Sequence, residues 1–263
     1  MLHRRRRIKL YRLSGKIGET MLSIIVPVLN EQSQINAAVE HIRAQSFDGA
    51  YEIIVVDGDP HGGTIQAVRD EGVTCIAGSR GRGRQMNAGA RAGRGDVLLF
   101  LHADTRLPPE ALTNICHVLE NRQYVGGAFD LSLDSNRWIL RYIAARASMR
   151  SRLNRIPYGD QAIFIRRDYF EKIGGFKDIP LMEDVDLMRR IKKDGQKIRI
   201  LRDKVATSAR RWEKEGAIYT TLKNQVIVMF YYLGVSPETL ARHYRFGNSG
   251  RTDKQESAKL QNE

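Results

Sequence analysis

Between Met21 and His102 the chain repeats one pattern, a short apolar run followed by a segment of helical periodicity, and this repeat constrains the fold more than any other feature. Leu22 to Val28 is a nearly unbroken apolar run, the signature of a strand covered on both faces. Residues 31–44 then place Ile35, Val39 and Ile42 on one helical stripe. Tyr51 to Asp57 predicts a second strand, 64–71 a helix, 73–77 a third strand, 84–92 a helix and 96–102 a fourth strand. Such a β-α-β-α succession with short connections implies an α/β fold with a mostly parallel central sheet and helices on both faces. Ligands of such sheets bind beyond the carboxyl ends of the strands, so the residues that terminate each strand are the first candidates for function.

The second half is less regular. A helix is predicted from about 110 to 120, a strand over 124–133, a basic helix over 136–153, a strand over 160–165, and helices over 184–193, 215–232 and 236–246. Residues 247–263 have the polar composition of a disordered tail. The 263 residues, 42% hydrophobic and 28% charged, suffice for a sizeable core and exclude a collagen-like, coiled-coil or wholly disordered chain. The formal charge is +13, but residues 1–18 hold seven cations and no acid, so 1–20 are expected to be a basic extension ahead of one domain over 21–246. No apolar run approaches the ~18 residues of a membrane span, and the patch after the basic start contains Pro27 and lacks a small-x-small cleavage site. Cys75 and Cys116 fall in an expected buried strand and a helix with no metal-type spacing, which fits a reducing, cytoplasmic location.

Three predicted strands end in acceptor groups: Pro27-Val-Leu-Asn-Glu31, Asp57-Gly-Asp59 and His102-Ala-Asp104. A single terminal Asp commonly caps a turn. Carboxylates gathered on one sheet edge repel unless a cation or a hydroxyl-bearing ligand joins them, so the set suggests ribose hydroxyls and Mg²⁺ or Mn²⁺. Between the third and fourth strands, Gly78-Ser-Arg-Gly-Arg-Gly-Arg-Gln-Met-Asn-Ala-Gly89 combines close-approach glycines with Arg80, Arg82 and Arg84, a natural partner for a diphosphate. Its other reading is a solvated basic loop or a tract that contacts RNA. Glu183, Asp184 and Asp186 open a helix, where acids favour the helix dipole or supply a general base. Tyr158-Gly-Asp-Gln161 and Arg210-Arg-Trp212 are polar-aromatic loop groups.

In order and spacing, Ser23-Ile-Ile-Val-Pro-Val-Leu-Asn-Glu31, Glu52-Ile-Ile-Val-Val-Asp57, Asp96-Val-Leu-Leu-Phe-Leu-His-Ala-Asp104, and Gly174-Gly-Phe176 ahead of Met182-Glu-Asp184 resemble the motifs of the family 2 glycosyltransferases. More narrowly, the chain is similar to a bacterial subgroup associated with radical-SAM and seleno-domain genes. The resemblance implies a GT-A fold, in which 21–107 form a Rossmann-like nucleotide-sugar half and 108–246 an acceptor half with C-terminal helices. It further implies a nucleotide-diphosphate sugar donor, UDP- or GDP-linked, and inversion at the anomeric carbon with the assistance of Mn²⁺ or Mg²⁺. On matching positions, Pro27, Val28, Asn30, Glu31, Asp57, Arg80, Arg84, Asn87, His102, Ala103 and Asp104 would bind the donor, with Asp57 on the base and Asp104 and His102 on the metal. Asp184 would be the catalytic base beside Glu183, and Gly159, Asp160, Gln161, Arg211 and Trp212 would lie in the acceptor and diphosphate region. Two departures stand out. His102 replaces the first Asp of the usual Asp-x-Asp, and Ser208 stands where a glutamine precedes the Arg211-Trp212 pair. The basic N-terminus and the apolar 226–233 stretch suggest an anionic membrane surface on the inner face of the cytoplasmic membrane and a lipid-linked acceptor. A sugar nucleotidyltransferase and a non-catalytic nucleotide- or RNA-binding protein are the alternative readings, although three strand-end acids do not suit RNA.

Overall fold

The computed structural model describes residues 20–243. The polar tail and all but Thr20 of the basic extension lie outside the described residues, as does the end of the 236–246 helix, which is helical over 237–243. The four expected strands of the first half form: β1 (Leu22–Val28), β2 (Tyr51–Asp57), β3 (Val73–Ala77) and β4 (Val97–Phe100). They pair in parallel in the spatial order β3-β2-β1-β4. Alternate residues of β1 enter different cores. Leu22, Ile24, Val26 and Val28 face one side and Ile25 the other, all buried, which is why the run is apolar without alternation. Helices α1 (Ile35–Arg43) and α3 (Ala111–Glu120) cover the first side, and α2 (Arg82–Ala92) the second.

The remaining strands are β5 (Thr105–Arg106), β6 (Tyr124–Asp134), β7 (Phe164–Arg166) and β8 (Lys197–Ser208), with helices α4 (Trp138–Asn154), α5 (Arg167–Lys172), α6 (Glu183–Lys193), α7 (Arg210–Glu215) and α8 (Ala217–Tyr232). They extend the sheet as β4-β7-β6-β8-β5. β7 is antiparallel to β4 and β6, whereas β6 and β8 run parallel. Because β7 runs backwards, its start lies beside the end of β4, and the loop ahead of it meets the edge where β1, β2 and β4 finish. β8 ends against β5, with Thr207 opposite Thr105, and returns the chain to that edge.

Several expectations are corrected. The segment 64–71 makes one 3-10 turn, Ile65–Ala67, instead of a helix. Asn36 of α1 donates to the carbonyl of Ala67 and accepts the Arg69 N–H, so an extended backbone is fixed where helical hydrogen bonds would form. The 160–165 strand shrinks to β7, because Gly159–Gln161 form a 3-10 turn capped by Tyr158 and Gln161. Cys75 is exposed, since β3 is an edge strand. The strand β8 is absent from the sequence reading. Its buried Ile198 and Ile200 alternate with Lys197 and Arg199, a bulge at Arg202-Asp203 breaks the period, and the buried Val205 and Thr207 resume it around Ala206.

Helix α2 lies close to the sheet at Gly89, where a Cβ would run into Ile25 Cγ2 and lie 3.2 Å from Val56 Cγ2. Helix propensity alone favours alanine by ~1 kcal/mol. Overpacking at a fully buried isoleucine costs about 1–3 kcal/mol and outweighs that gain. Gly89→Ala is therefore expected to lower the melting temperature by about 2–6 °C. A rise would show that α2 slides freely over the sheet.

Candidate active site

Two cavities open along the carboxyl edge of the sheet and meet at Arg82, His102 and Asp104, which line both. The larger, about 700 Å³, is bounded by Pro27, Val28, Glu31, Arg80, Arg84 and Ala103. The smaller, about 310 Å³, is bounded by Gly159, Asp160, Asp184, Arg211, Trp212 and three residues of α8, Asn224, Ile227 and Val228. Most of the residues singled out in the sequence thus converge from five strand ends and the N-termini of α2 and α6.

The junction is built around charge. Arg82 is the first residue of α2, and its Nε lies 2.8 Å from Oε1 of the buried Glu183. Gly83 permits this approach, since a Cβ there would lie 2.6 Å from the carbonyl of Lys177. Burial pushes the Glu183 carboxyl above its ordinary range despite Arg82, and its Oε2 is buried without a hydrogen bond. Asp184 accepts the Gly159 N–H through Oδ2 at 2.6 Å and the Val185 N–H through Oδ1 at 2.7 Å. A Cβ on Gly159 would sit 3.3 Å from His102 Nε2 and 3.4 Å from Asp184 Oδ2, so this glycine keeps open the gap between the two groups. Burial, followed by the charge of Arg82, lowers the His102 pKa to about 4, and the imidazole is neutral at physiological pH. Burial also pushes Asp160 up to about 6, opposed by Arg150, and its Oδ1 has no hydrogen-bond partner. Glu31 is raised by burial, with Arg210 lowering it and Asp104 opposing that.

Among the described residues no three His, Cys, Asp or Glu side chains form a group able to hold a metal ion. Asp104 and the neutral His102 are nonetheless a donor pair that Mn²⁺ or Mg²⁺ accepts, and such ions commonly complete their shell with substrate phosphates and water.

Four sequence candidates lie elsewhere. The Asp57 carboxylate is fully buried and accepts the N–H groups of Asp59, Thr64 and Ile65, so it orders the loop after β2. Both polar atoms of Asn87 bond the backbone of Phe176. Gln161 is buried, donating to Phe129 O and Ser151 Oγ. Asn30 adopts φ 58° in the turn after β1, outside the cavity walls. Conversely, the sequence reading passed over several residues of the site. Gln85 Nε2 ties the carbonyls of Val28 and Val56 beneath the larger cavity, and the Arg150 guanidinium stacks 3.4 Å from the Tyr158 ring centroid. Thr207 Oγ1 lies 2.9 Å from Thr105 Oγ1 and donates to the Asp160 carbonyl. Tyr158 adjoins a quoted motif and Gln85 lies inside the glycine-arginine stretch, but the direction of Arg150 has no sequence signature.

The sequence model described as "Glycosyl transferase family 2" matches residues 23–176, more than half of the chain. The chain belongs to this family. Membership weighs toward the sugar-transfer reading over the nucleotidyltransferase and binding-protein alternatives. An uncharacterized glycosyltransferase of Haemophilus influenzae is 27% identical over 182 residues, 65% of this chain and 62% of the relative. The undecaprenyl-phosphate 4-deoxy-4-formamido-L-arabinose transferase of Yersinia pestis is 30% identical over 116 residues, 40% of this chain and 36% of the relative. The chain spans about a third to under two thirds of the length of these curated relatives. In structure, the mannosyltransferase PcManGT of Pyrobaculum calidifontis, solved with GDP-Man and Mn²⁺, matches 72% of this chain and 56% of its own with a TM-score of 0.55 at 22% identity. S. aureus TarS matches 72% of this chain and 36% of its own with a TM-score of 0.56 at 15% identity. Both likenesses are of fold, and the fold of the family 2 glycosyltransferase described here is GT-A.

The pH dependence of stability isolates Asp160. With a folded pKa near 6 against an ordinary value near 4, the folded state holds more protons between these limits. Stability from this group therefore falls as pH rises through that window. Asp160→Asn is expected to stabilise the protein by about 1–2 kcal/mol at pH 8 and by nothing at pH 4. Paired thermal melts at the two pH values check this; an equal shift at both would rule out ionisation as the cause.

Proposed function

We propose that the enzyme transfers a sugar from a UDP- or GDP-linked donor to an acceptor hydroxyl with inversion. The observation that carries the reading is the junction of the two cavities at Arg82, His102 and Asp104, beside the Asp184 carboxylate. The larger cavity, with Arg80 and Arg84 at its rim, suits a nucleotide diphosphate, and the smaller one an acceptor. In this reading Arg80 and Arg84 hold the diphosphate, although Arg84 must first exchange its 2.6 Å contact with Asp178. A divalent ion held by Asp104 and His102 would supply charge neutralisation at the departing diphosphate.

Asp184 is the base. Its two N–H bonds fix the carboxylate plane and leave lone pairs for the acceptor hydroxyl in the smaller cavity. The attacking oxygen loses its proton to Asp184 as it forms the bond to the anomeric carbon, and the bond from that carbon to the diphosphate oxygen breaks on the opposite face. Glu183 holds Arg82 in place and stands outside the wall of the smaller cavity, which supports a positioning role for it. Asp57 serves the base of the nucleotide through the loop it orders.

The acceptor is read as lipid-linked, with the enzyme working at the inner face of the cytoplasmic membrane. The support is the undecaprenyl-phosphate transferases among the relatives, together with the apolar Ile227, Val228 and Trp212 in the wall of the smaller cavity.

Asp184→Asn is expected to lose about 10²- to 10⁴-fold in transfer while retaining donor binding. Near-wild-type transfer would remove Asp184 from the role of base. In thermal-shift titrations, Mn²⁺ is expected to increase the stabilisation by one class of nucleotide sugar in the wild type and not in Asp104→Ala. An equal Mn²⁺ effect in that variant would exclude Asp104 as a ligand.

A further inference from the structure

Helix α4 has apolar residues on two opposite sides. Leu140, Ala144 and Ser148 face the core, whereas Trp138, Tyr142, Ala145, Met149 and Leu153 recur at spacings of three and four and form an exposed stripe. Trp138 and Leu153 are each 74% exposed. Arg141 and Arg146 flank the stripe, and the helix contains no acidic residue. Helix α8 likewise lacks acids and exposes Ile218, Leu222, Val226, Met229 and Phe230, followed by Leu233 at 71%. All the large hydrophobic residues exposed among the described residues lie on these two helices or at Leu233. The helices touch each other. An apolar surface of this concentration marks an interaction site.

We propose that α4 and α8 together dock the enzyme on an anionic lipid bilayer. Charge identifies the occupant. In a symmetric dimer through this face, the arginines of one copy would meet those of the other with no acid on either helix to receive them. An anionic headgroup layer gives every cation a partner, while Trp138 and Tyr142 are side chains suited to the membrane interface. At the end of α4, Arg152, Arg155 and Lys192 line a further cavity of about 360 Å³ whose walls contain no acid. Among the described residues no helix is long and apolar enough to cross a membrane, so α4 and α8 would lie on the surface. The inner side of α8 supplies Asn224, Ile227 and Val228 to the smaller cavity of the active site. Docking of its outer side therefore brings that cavity to the bilayer, where a lipid-borne acceptor resides. This delivery role rests on the functional reading above; the docking stands on the two helices themselves.

The test uses the full chain with phosphatidylcholine vesicles, with and without phosphatidylglycerol. The wild type is expected to co-sediment with the anionic vesicles and to show a blue shift of tryptophan emission that Trp138→Phe abolishes. The pairs Tyr142→Glu/Met149→Glu and Leu222→Glu/Met229→Glu, all exposed positions, are each expected to weaken vesicle binding by about tenfold or more. Binding carried by the basic residues 4–16 alone would leave both pairs unchanged and overturn the proposal, as would a wild type that stays in the supernatant. A dimer in vesicle-free solution that both pairs dissociate, without vesicle binding, would assign the face to self-association and also overturn it. Nucleotide-sugar thermal shifts on the same samples separate the two readings: retained donor binding without docking defeats the docking alone, and docking without any donor binding defeats the functional reading alone.

Discussion

The active site depends on the placement of Arg82. Glu183, Asp184 and Asp160 all lie within Coulombic reach of its guanidinium, and Asp104 joins them across His102. Carboxylates at that density cannot remain ionised in a cleft walled by protein unless a cation stands among them. One residue at the N-terminus of α2 supplies it, and Glu183 fixes it at 2.8 Å. The geometry follows from small residues. Gly83 lets α2 approach the loop before α6, Gly89 seats the helix on β1, and Gly159 leaves room between His102 and Asp184. The same guanidinium helps to keep His102 neutral, the form in which an imidazole nitrogen is free to act as a ligand. A neutral histidine at position 102 adds no negative charge to a crowded edge and still presents an imidazole nitrogen there.

The first half of the fold was legible because burial on both faces leaves a simple sequence mark. β1, β2 and β3 occupy the segments expected for them, and Ile35, Val39 and Ile42 face the core as their spacing implies. Legibility failed where side chains of distant elements decide local structure. Nothing in residues 64–71 announces that Asn36 takes their backbone hydrogen bonds. Nor does the sequence of β8 announce a strand, because its solvent side carries Lys197, Arg199 and Arg202 and a bulge shifts the alternation halfway along. In both cases the deciding partner is remote in sequence, and periodicity sees only neighbours.

The site was legible to the extent that motifs encode position. His102, Asp104, Asp184, Asp160, Arg80, Arg84 and Trp212 all line the two cavities. Motifs do not encode direction. Asn87 and Gln161 belong to the same stretches, yet their side chains turn inward and bond the backbones of Phe176 and Phe129. They hold the loops that carry the site, a role as dependent on identity as contact with a ligand. The contribution of α8 to the site was invisible for another reason: its apolar 226–233 stretch reads as a surface for a membrane or as a core helix, whereas one of its sides lines a cavity and another is bare.

Several buried polar atoms without hydrogen-bond partners lie in or beside the wall of the smaller cavity. Asp160 Oδ1, Glu183 Oε2, Arg150 Nε and Trp212 Nε1 are all buried without hydrogen-bond partners. Each such group costs about 1–3 kcal/mol relative to a satisfied one. Native proteins keep few of them, and local rules are broken chiefly at functional positions. Two of the four, on Asp160 and Trp212, belong to residues that line the smaller cavity, while Glu183 pairs with Arg82 and Arg150 stacks on Tyr158 of the same cavity wall. This distribution separates the two cavities in kind. The larger cavity is rimmed by Arg80 and by Arg84, which is paired with Asp178 at 2.6 Å. Around the smaller cavity, Asp160 and Trp212 carry polar atoms already withdrawn from water, and a fold that tolerates such atoms beside a cleft breaks a local rule in the manner of a functional position.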